Sequence, residues 1–292
     1  MPRRPSNPRL ANIEDWRDGA DADPGFVTAL ARGLEILRAF GRDDRYLGNG
    51  ELAKRTGIPK STVSRLTQTL TALGYLRYVD QLERYQLGPG VLALGYRYLA
   101  GNGVRDIAHP HMQALADSTD CSVALGAGDR SEMVYVDVCQ GRGPLILRLD
   151  VGARIPMPVT SMGRAYLAGL TEADREAAFT RLKSHYGDDW PGLRKGLEEA
   201  LKFYADHGYC MSEGDWNRDV ASAGIPISLE GGAHVLAFNC GGSSLRLTRR
   251  VIERSIGPRL LELVRLVEHD LAGAPTGAPA GTPGFRPRDL GS

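Results

Sequence analysis

Two short helical segments separated by three residues constrain the fold of this chain more than any other feature. The first segment ends after Thr56, where the run Gly57-Ile58-Pro59 interrupts a helix. The second begins at once and is amphipathic until Gly74 ends it. Its apolar residues recur at steps of three, four and three: Val63, Leu66, Leu70 and Leu73. This spacing predicts a helix-turn-helix.

A short β-hairpin is predicted directly after the second helix. The runs YLRYV and YQLG read as two strands, and the polar run DQLER between them reads as their turn. Helical spacing also predicts one helix before these elements, over Val27–Phe40, and one after them, over Val91–Leu99. Together the elements predict a winged helix-turn-helix domain over residues 26–89, followed by a linker helix over residues 90–103.

Basic residues cluster on this segment. The 292-residue chain holds 36 Lys and Arg against 35 Asp and Glu, so its overall charge does not indicate a polyanion-binding protein. Between residues 45 and 79, however, Glu51 is the single acidic residue, and the basic ones are Arg45, Lys54, Arg55, Lys60, Arg65 and Arg77. Cationic side chains neutralise DNA phosphates, and polar side chains near the start of a recognition helix reach base edges.

The expected partner is therefore double-stranded DNA. The predicted contacts lie on the polar face of the second helix and at the hairpin: Lys60, Ser61, Thr62, Ser64, Arg65, Gln68 and Arg84. The alternative is that these side chains form an ordinary solvated face of a helical hairpin.

Residues 104–272 alternate strands with amphipathic helices and show no regular βαβ repeat, which predicts an α+β domain. The predicted strands are Ser122–Gly126, Met133–Val138, Leu145–Leu149, Tyr209–Ser212, Gly224–Ser228 and Val235–Asn239. The predicted helices are Arg105–Ser118, Met162–Gly169, Glu172–Lys183, Leu193–His207 and Arg249–Leu271. Residues 1–25 and 273–292 are rich in polar residues, Pro or Gly, and we expect both to be disordered.

A ligand pocket is predicted at one helix start in this second domain. The helix follows Pro156 and Pro158 and opens with hydroxyl-bearing residues, and free N–H groups at a helix start favour a carboxylate. The predicted pocket residues are Leu147, Met157, Thr160, Ser161, Met162, Gly163, Ser222, Cys240 and Ser243. The alternative is that Ser161 only caps the helix and that the methionines fill the core.

Other kinds of site are not indicated. The cysteines, Cys121, Cys139, Cys210 and Cys240, form no C-x-x-C pair, so we expect reduced thiols. His109 and His111 face different ways on a helix, so no metal site is predicted. The hydrolase, zinc-protease and phosphate-loop motifs do not occur, so neither catalytic residues nor a cofactor is predicted. Without a long apolar run or a secretory signal, no membrane is expected and the expected location is the cytoplasm.

At several places the chain resembles the IclR family of bacterial transcriptional regulators. The resembling runs include FVTALARGLEILRAFG, ELAKRTGIPKSTVSRLTQTLTALGYL, LDVGARIPMPVTSMGRAYLAGL and FNCGGSSLRLT, and together they span about Phe26 to Ala272. The resemblance implies that residues 104–272 form a GAF-like domain that binds a small effector. In place of the acidic pair that is usual in the family, this chain has Ser212, Glu213, Gly214 and Asp215.

The resemblance also implies a mode of action. It implies a homodimer or a dimer of dimers, in which the helices Val27–Phe40 and Val91–Leu99 help to pair the DNA-binding domains. It further implies repression of catabolic genes and control by a small organic acid, such as an aromatic carboxylate. The alternative is a GAF-like sensor or enzyme with a vestigial DNA-binding domain.

Overall fold

The computed structural model describes residues 25–142, 149–229 and 234–273 of the chain. The predicted disordered segments therefore lie almost entirely outside the described residues. The N-terminal domain consists of helices α1 (Thr28–Arg38), α2 (Asn49–Thr56) and α3 (Lys60–Ala72) and an antiparallel hairpin of β1 (Leu76–Val79) and β2 (Arg84–Leu87). This arrangement confirms the predicted winged helix-turn-helix.

The turn between α2 and α3 is set by Gly57, which ends α2 with a φ of 63°. Glycine adopts this left-handed conformation at little cost, so the chain can reverse before Pro59 and start α3 at Lys60. Val63 is fully buried in the core of this domain. The prediction for Leu73 is wrong, because it follows the last residue of α3 and its side chain is 64% exposed.

Two consecutive helices lead into the second domain, α4 (Pro89–Ala100) and α5 (Gly103–Thr119). The remaining elements are β3 (Ser122–Asp129), β4 (Glu132–Gln140), β5 (Arg154–Pro156), α6 (Ser161–Gly169), α7 (Glu172–Tyr186), α8 (Trp190–His207), β6 (Cys210–Glu213), β7 (Val220–Leu229) and β8 (His234–Ser243). The chain then continues through α9 (Arg249–Val251), a π-helical segment (Ile252–Ile256) and α10 (Gly257–Gly273).

The six strands of the second domain form one antiparallel sheet in the order β5-β4-β3-β8-β7-β6. On one face, Met112 of α5 and Leu260 of α10 pack with Phe238 of β8. On the other face, Met162 of α6 and Leu182 of α7 belong to a second buried cluster. A sheet covered by helices on both faces confirms the α+β class and is compatible with a GAF-like fold.

The structure differs from the predicted elements in three places. Strand β5 was not predicted, because three residues are too few for a periodic pattern. The predicted strand Leu145–Leu149 lies outside the described residues except for its last residue. The predicted helix Arg249–Leu271 is interrupted by the π-helical segment. In the part of the chain that the structure describes, no helix has the length and apolar character needed to cross a bilayer.

Candidate functional site

The polar face of α3 is open to solvent. Lys60, Ser61, Ser64, Arg65 and Gln68 are exposed, and Thr62 is half-buried. In the described residues, the side chains of these five exposed residues make no hydrogen bond or ion pair within the chain. The polar groups that face B-DNA in a helix-turn-helix are therefore available on this face for phosphates and base edges.

Two other predicted or nearby cations, Arg55 and Arg84, already form ion pairs within the chain. Arg55 forms a two-point ion pair with Asp44, in which Nη2 lies 2.9 Å from Oδ1. The Arg55 guanidinium and the Gly41 amide hold the pKa of Asp44 below its usual value. Arg84, the predicted wing contact, lies at the start of β2, and its Nη1 is 3.1 Å from Glu51 Oε2. Arg55 and Arg84 therefore have less free charge for DNA phosphates than the sequence indicated.

A cavity of about 380 Å³ opens at the end of the sheet where β3, β7 and β8 meet. One part of its wall is polar and carries Tyr135, Thr160, Ser212, Ser222 and Asn239. Another part is apolar and carries Leu149, Ile155, Trp216 and Val220. A mixture of a few polar groups and an apolar wall is typical of small-molecule sites.

Two arginines, Arg246 and Arg259, supply positive charge to the same cavity. Arg246 lies 3.6 Å from Asp120, which also lines the cavity, and Arg259 Nη1 donates to the carbonyl of Ser118 at 3.3 Å. On the polar wall, burial raises the pKa of Tyr135 to about 12, although its hydrogen bond with Asn239 acts in the opposite direction. Its phenol is therefore neutral and can serve as a hydrogen-bonding group.

The structure brings only some of the predicted pocket residues to this cavity. Thr160, Ser222 and Ser243 line it. Five other predicted residues are buried nearby and do not line it: Met157, Ser161, Met162, Gly163 and Cys240. Leu147 lies outside the described residues. For the two methionines, packing in the core is the interpretation that the structure favours.

The start of α6 is also closed where the sequence suggested free N–H groups. The N–H of Gly163 donates to Thr160 Oγ1 at 3.2 Å, so the cap residue already satisfies it. The backbone of Gly163 packs against Met157 so closely that a Cβ atom on Gly163 would lie 2.1 Å from the Met157 carbonyl oxygen. The side of Gly163 that faces Met157 therefore has no space for a ligand, and the Gly163 N–H is already bonded within the chain.

Sequence reasoning missed Tyr135, Asn239, Arg246 and Arg259. Tyr135 is about a hundred positions from the other three in the sequence, and the four residues meet because β4 and β8 flank β3 and because α10 packs beside the sheet. The single signal available was the basic run SSLRLTRR, which contains Arg246 and two further arginines, and local spacing does not place it at a cavity.

The four cysteines are free and buried. Cys121 lines the cavity, and a hydrogen bond from the Cys240 thiol lowers its pKa, with a further contribution from Arg246 and an opposing one from burial. Burial raises the pKa of Cys139 to about 11 and that of Cys210 to about 12. Cys121 is therefore the thiol with the strongest thiolate character.

The two neighbouring histidines contact different elements, as predicted. His109 Nδ1 lies 2.7 Å from Asp137 of β4, and His111 Nε2 lies 2.8 Å from Asp270 of α10. Cys139 is close to His109, so three potential metal ligands meet there. Arg105 Nε lies 3.8 Å from Asp137, so a cationic side chain also faces this buried carboxylate.

Comparisons with known proteins agree across the whole described chain. Models of the IclR helix-turn-helix domain and of the bacterial transcriptional regulator IclR C-terminal domain match residues 29–80 and 96–269. The transcriptional regulator TsaQ1/TsaQ2 of Comamonas testosteroni is 32% identical over 256 residues, covering 87% of this chain and 92% of that protein. The Pca regulon regulatory protein of Pseudomonas putida is 29% identical and covers 86% of each chain. A crystal structure of an IclR family transcriptional regulator from Brucella abortus matches with a TM-score of 0.81 and 44% identity over 90% of this chain and 99% of that one.

Proposed function

The chain belongs to the IclR family of bacterial transcriptional regulators, and from this premise we propose that it binds operator DNA through α3 as a homodimer and responds to a small organic acid. The observation that carries the proposal is the unpaired polar face of α3, which presents Lys60, Ser61, Ser64 and Arg65 to solvent. These residues combine two cations for phosphates with two hydroxyls for base edges. The half-buried Thr62 and the exposed Gln68 flank them.

Dimer formation is supported by apolar side chains that the chain leaves uncovered. On α4, Leu92 is 75% exposed and Tyr96 69%, and no residue of this helix is buried. On α1, Leu30 is 64% exposed. Exposed apolar residues on two helices that flank the DNA-binding domain suit a second copy of the chain, as the homodimer or dimer of dimers implied by the sequence requires.

A dimer has a consequence for the DNA site. Two identical recognition helices related by a two-fold axis would read a pseudo-palindrome, with half-sites separated by about 34 Å or a multiple of it. The expected result of Leu92→Asp is a lower sedimentation-derived mass than the wild type and weaker DNA binding. Leu245→Asp, which changes a leucine of the effector domain that is 91% exposed, is the matched control.

The cavity supports a small carboxylate as effector. Arg246 and Arg259 can neutralise one negative charge, and Tyr135 and Asn239 can bond a second polar group, while Ile155 and Trp216 contact an apolar or aromatic body. In this proposal the anion binds Arg259 of α10 and Arg246 of the loop between β8 and α9, and not the start of α6. The sequence resemblance further implies repression of catabolic genes, which forms part of this proposal.

Two experiments test the function. Gel-shift titration of the purified chain with DNA upstream of its own gene should yield a shifted complex that unrelated DNA of equal length does not compete away. Calorimetry with acetate, glyoxylate, benzoate and 4-hydroxybenzoate should find an acid that binds the wild type and binds Arg259→Gln at least about tenfold more weakly. Lys195→Gln, which removes one exposed charge away from the cavity, is the matched control.

A reporter gene under the upstream promoter separates repression from activation. The repressor proposal expects a higher basal signal when the regulator gene is deleted. Specific DNA binding is also the property that the alternative, a GAF-like sensor or enzyme with a vestigial DNA-binding domain, would lack. A folded chain that binds its upstream region no better than unrelated DNA would therefore overturn the proposal.

A further inference from the structure

Among the described residues, three ion pairs join the DNA-binding domain to the effector domain of the same chain: Arg130 with Glu35, Arg38 with Asp129, and Arg42 with Asp150. The residues that the DNA-binding domain contributes to these pairs lie on α1 (Glu35 and Arg38) or shortly after it (Arg42). Helix α1 is thus the part of the DNA-binding domain that docks on the effector domain. The effector domain contributes Asp129 and Arg130, at the turn between β3 and β4, and Asp150, in the segment that precedes β5.

The pair of Glu35 and Arg130 is the buried one. The Glu35 side chain is 8% exposed and that of Arg130 24%, whereas Arg42 and Asp150 are 60% and 64% exposed. Breaking a buried pair leaves an uncompensated charge, while an exposed pair contributes little. Because Glu35 lies on α1 and Arg130 lies in the effector domain, this ion pair forms only when the two domains are docked.

Arg130 also has an unusual backbone conformation. Its φ is 59°, in the left-handed region that favours glycine or asparagine, and it lies in the tight turn where Asp129 pairs with Glu132. An arginine strains the backbone at this position. The ion pair with Glu35 explains why a long cationic side chain occupies this strained position.

The turn between β3 and β4 is connected to the cavity wall through strands β4 and β5. Strand β4 carries Tyr135 and strand β5 carries Ile155, and both residues line the cavity. Arg154 of β5 binds Asp129 at 2.8 Å and Glu132 at 2.5 Å, so it fastens β5 to both sides of the turn. A displacement of either strand by a molecule in the cavity would therefore move the turn that holds α1.

We propose that Glu35 and Arg130 are positioning residues, whose ion pair fixes α1, and with it α3, on the turn between β3 and β4 of the effector domain and transmits changes at the cavity wall to DNA affinity. The inference rests on the proposed function, since DNA affinity is its output. A ligand regulates DNA binding only if it binds two domain arrangements with different affinity. Formation and breakage of this buried pair supply two such arrangements.

Amide hydrogen exchange of the full chain tests the positioning role without DNA. Glu35→Gln should raise exchange about threefold or more in the turn between β3 and β4, and Arg130→Gln should do the same in α1. Arg130→Lys, which keeps the charge, should stay close to the wild type. Arg42→Gln, which breaks an exposed pair, is the matched control and should leave both regions unchanged. Unchanged exchange across the domain boundary in both charge-removing variants would overturn the positioning role.

A double-mutant cycle on DNA affinity tests the transmission. Ile155→Val at the cavity wall should change the Kd for the upstream DNA about twofold or more in the wild type and leave it unchanged in Glu35→Gln. A second cycle uses Tyr135→Phe at the cavity wall, in case Ile155→Val alters folding. If the changes in Kd caused by the wall variant and by Glu35→Gln simply add in both cycles, the proposed transmission from the cavity wall to DNA affinity is wrong. A wild type that binds no upstream DNA contradicts the proposed function instead, and the hydrogen-exchange result still decides whether the ion pair positions α1.

Discussion

The hydroxyl groups of Ser161 and Ser222 lie 2.7 Å apart and hydrogen-bond to each other. Ser161 is the first residue of α6 and is fully buried, whereas Ser222 lies on β7 and lines the cavity. The bond therefore joins the core of the effector domain to the wall of its cavity.

Ser222→Ala should destabilise the chain, because it leaves the buried Ser161 hydroxyl without this partner. We expect a loss of about 1–3 kcal/mol in the free energy of unfolding. Urea denaturation followed by circular dichroism measures it. The double variant with Ser161→Ala should be less destabilised than the sum of the single variants, and strict additivity would contradict the direct bond.

Gly163→Ala should prevent normal packing of α6. The new Cβ would lie 2.1 Å from a backbone oxygen that cannot move as freely as a side chain, so we expect a loss above about 3 kcal/mol or failure to fold. Gly95→Ala on α4 is the matched control, since no atom lies within 4 Å of its added Cβ. Gly95→Ala should raise the free energy of unfolding by about 0.5–1 kcal/mol, because alanine has a higher helix propensity than glycine.

Arg65→Ala should weaken operator binding by about 1–3 kcal/mol if Arg65 contacts a base, and lower the salt dependence of binding if it contacts a phosphate. Gel-shift titrations at two salt concentrations distinguish these outcomes. Arg265→Ala removes an exposed charge from α10 and is the control. Wild-type affinity and salt dependence in folded Arg65→Ala would contradict the assignment of α3 as the recognition helix.

Cys121 should be the first cysteine to react with iodoacetamide near neutral pH. Its pKa is lowered by the hydrogen bond from Cys240, while the pKa values of Cys139 and Cys210 are raised by burial, so Cys121 holds most of the thiolate. Mass spectrometry of peptides after short exposure gives the order of labelling. Because Cys121 lines the cavity, an acid that occupies the cavity should slow its reaction and leave that of Cys139 unchanged.

Asp129 should contribute to stability above pH 4 and lose this contribution in acid. Burial raises its pKa, but the hydrogen bond from Arg154 and the charges of Arg38 and Arg154 outweigh this effect and lower it from 3.8. A carboxyl whose pKa is lower in the folded than in the unfolded state stabilises the fold above the unfolded pKa, and the stabilisation is lost as the pH falls through the folded pKa. Urea denaturation between pH 2.5 and 6 should show a shallower acid loss for Asp129→Asn than for the wild type. An unchanged profile would show that Asp129 does not titrate with folding.

The DNA-binding domain was predictable because its determinants are local. Gly57 and Pro59 place the turn, and the spacing from Val63 to Leu70 fixes which face of α3 is buried, so the exposed face with Ser64 and Arg65 follows from the sequence. The pairing of charges was not predictable to the same degree. Asp44 lies just outside the basic segment in sequence, yet it neutralises Arg55.

The sequence by itself determined most of the helices and strands, the α+β class and the polar face of α3, since periodicity and turn residues act over a few positions. Tertiary structure alone decided where the cavity lies, because Tyr135, Asn239 and Arg259 meet through antiparallel pairing and helix packing across more than a hundred residues. It also decided that Gly163 is a packing residue and that Glu35 belongs to a domain contact. Burial and proximity depend on which distant residues come together, and spacing along the chain does not encode that.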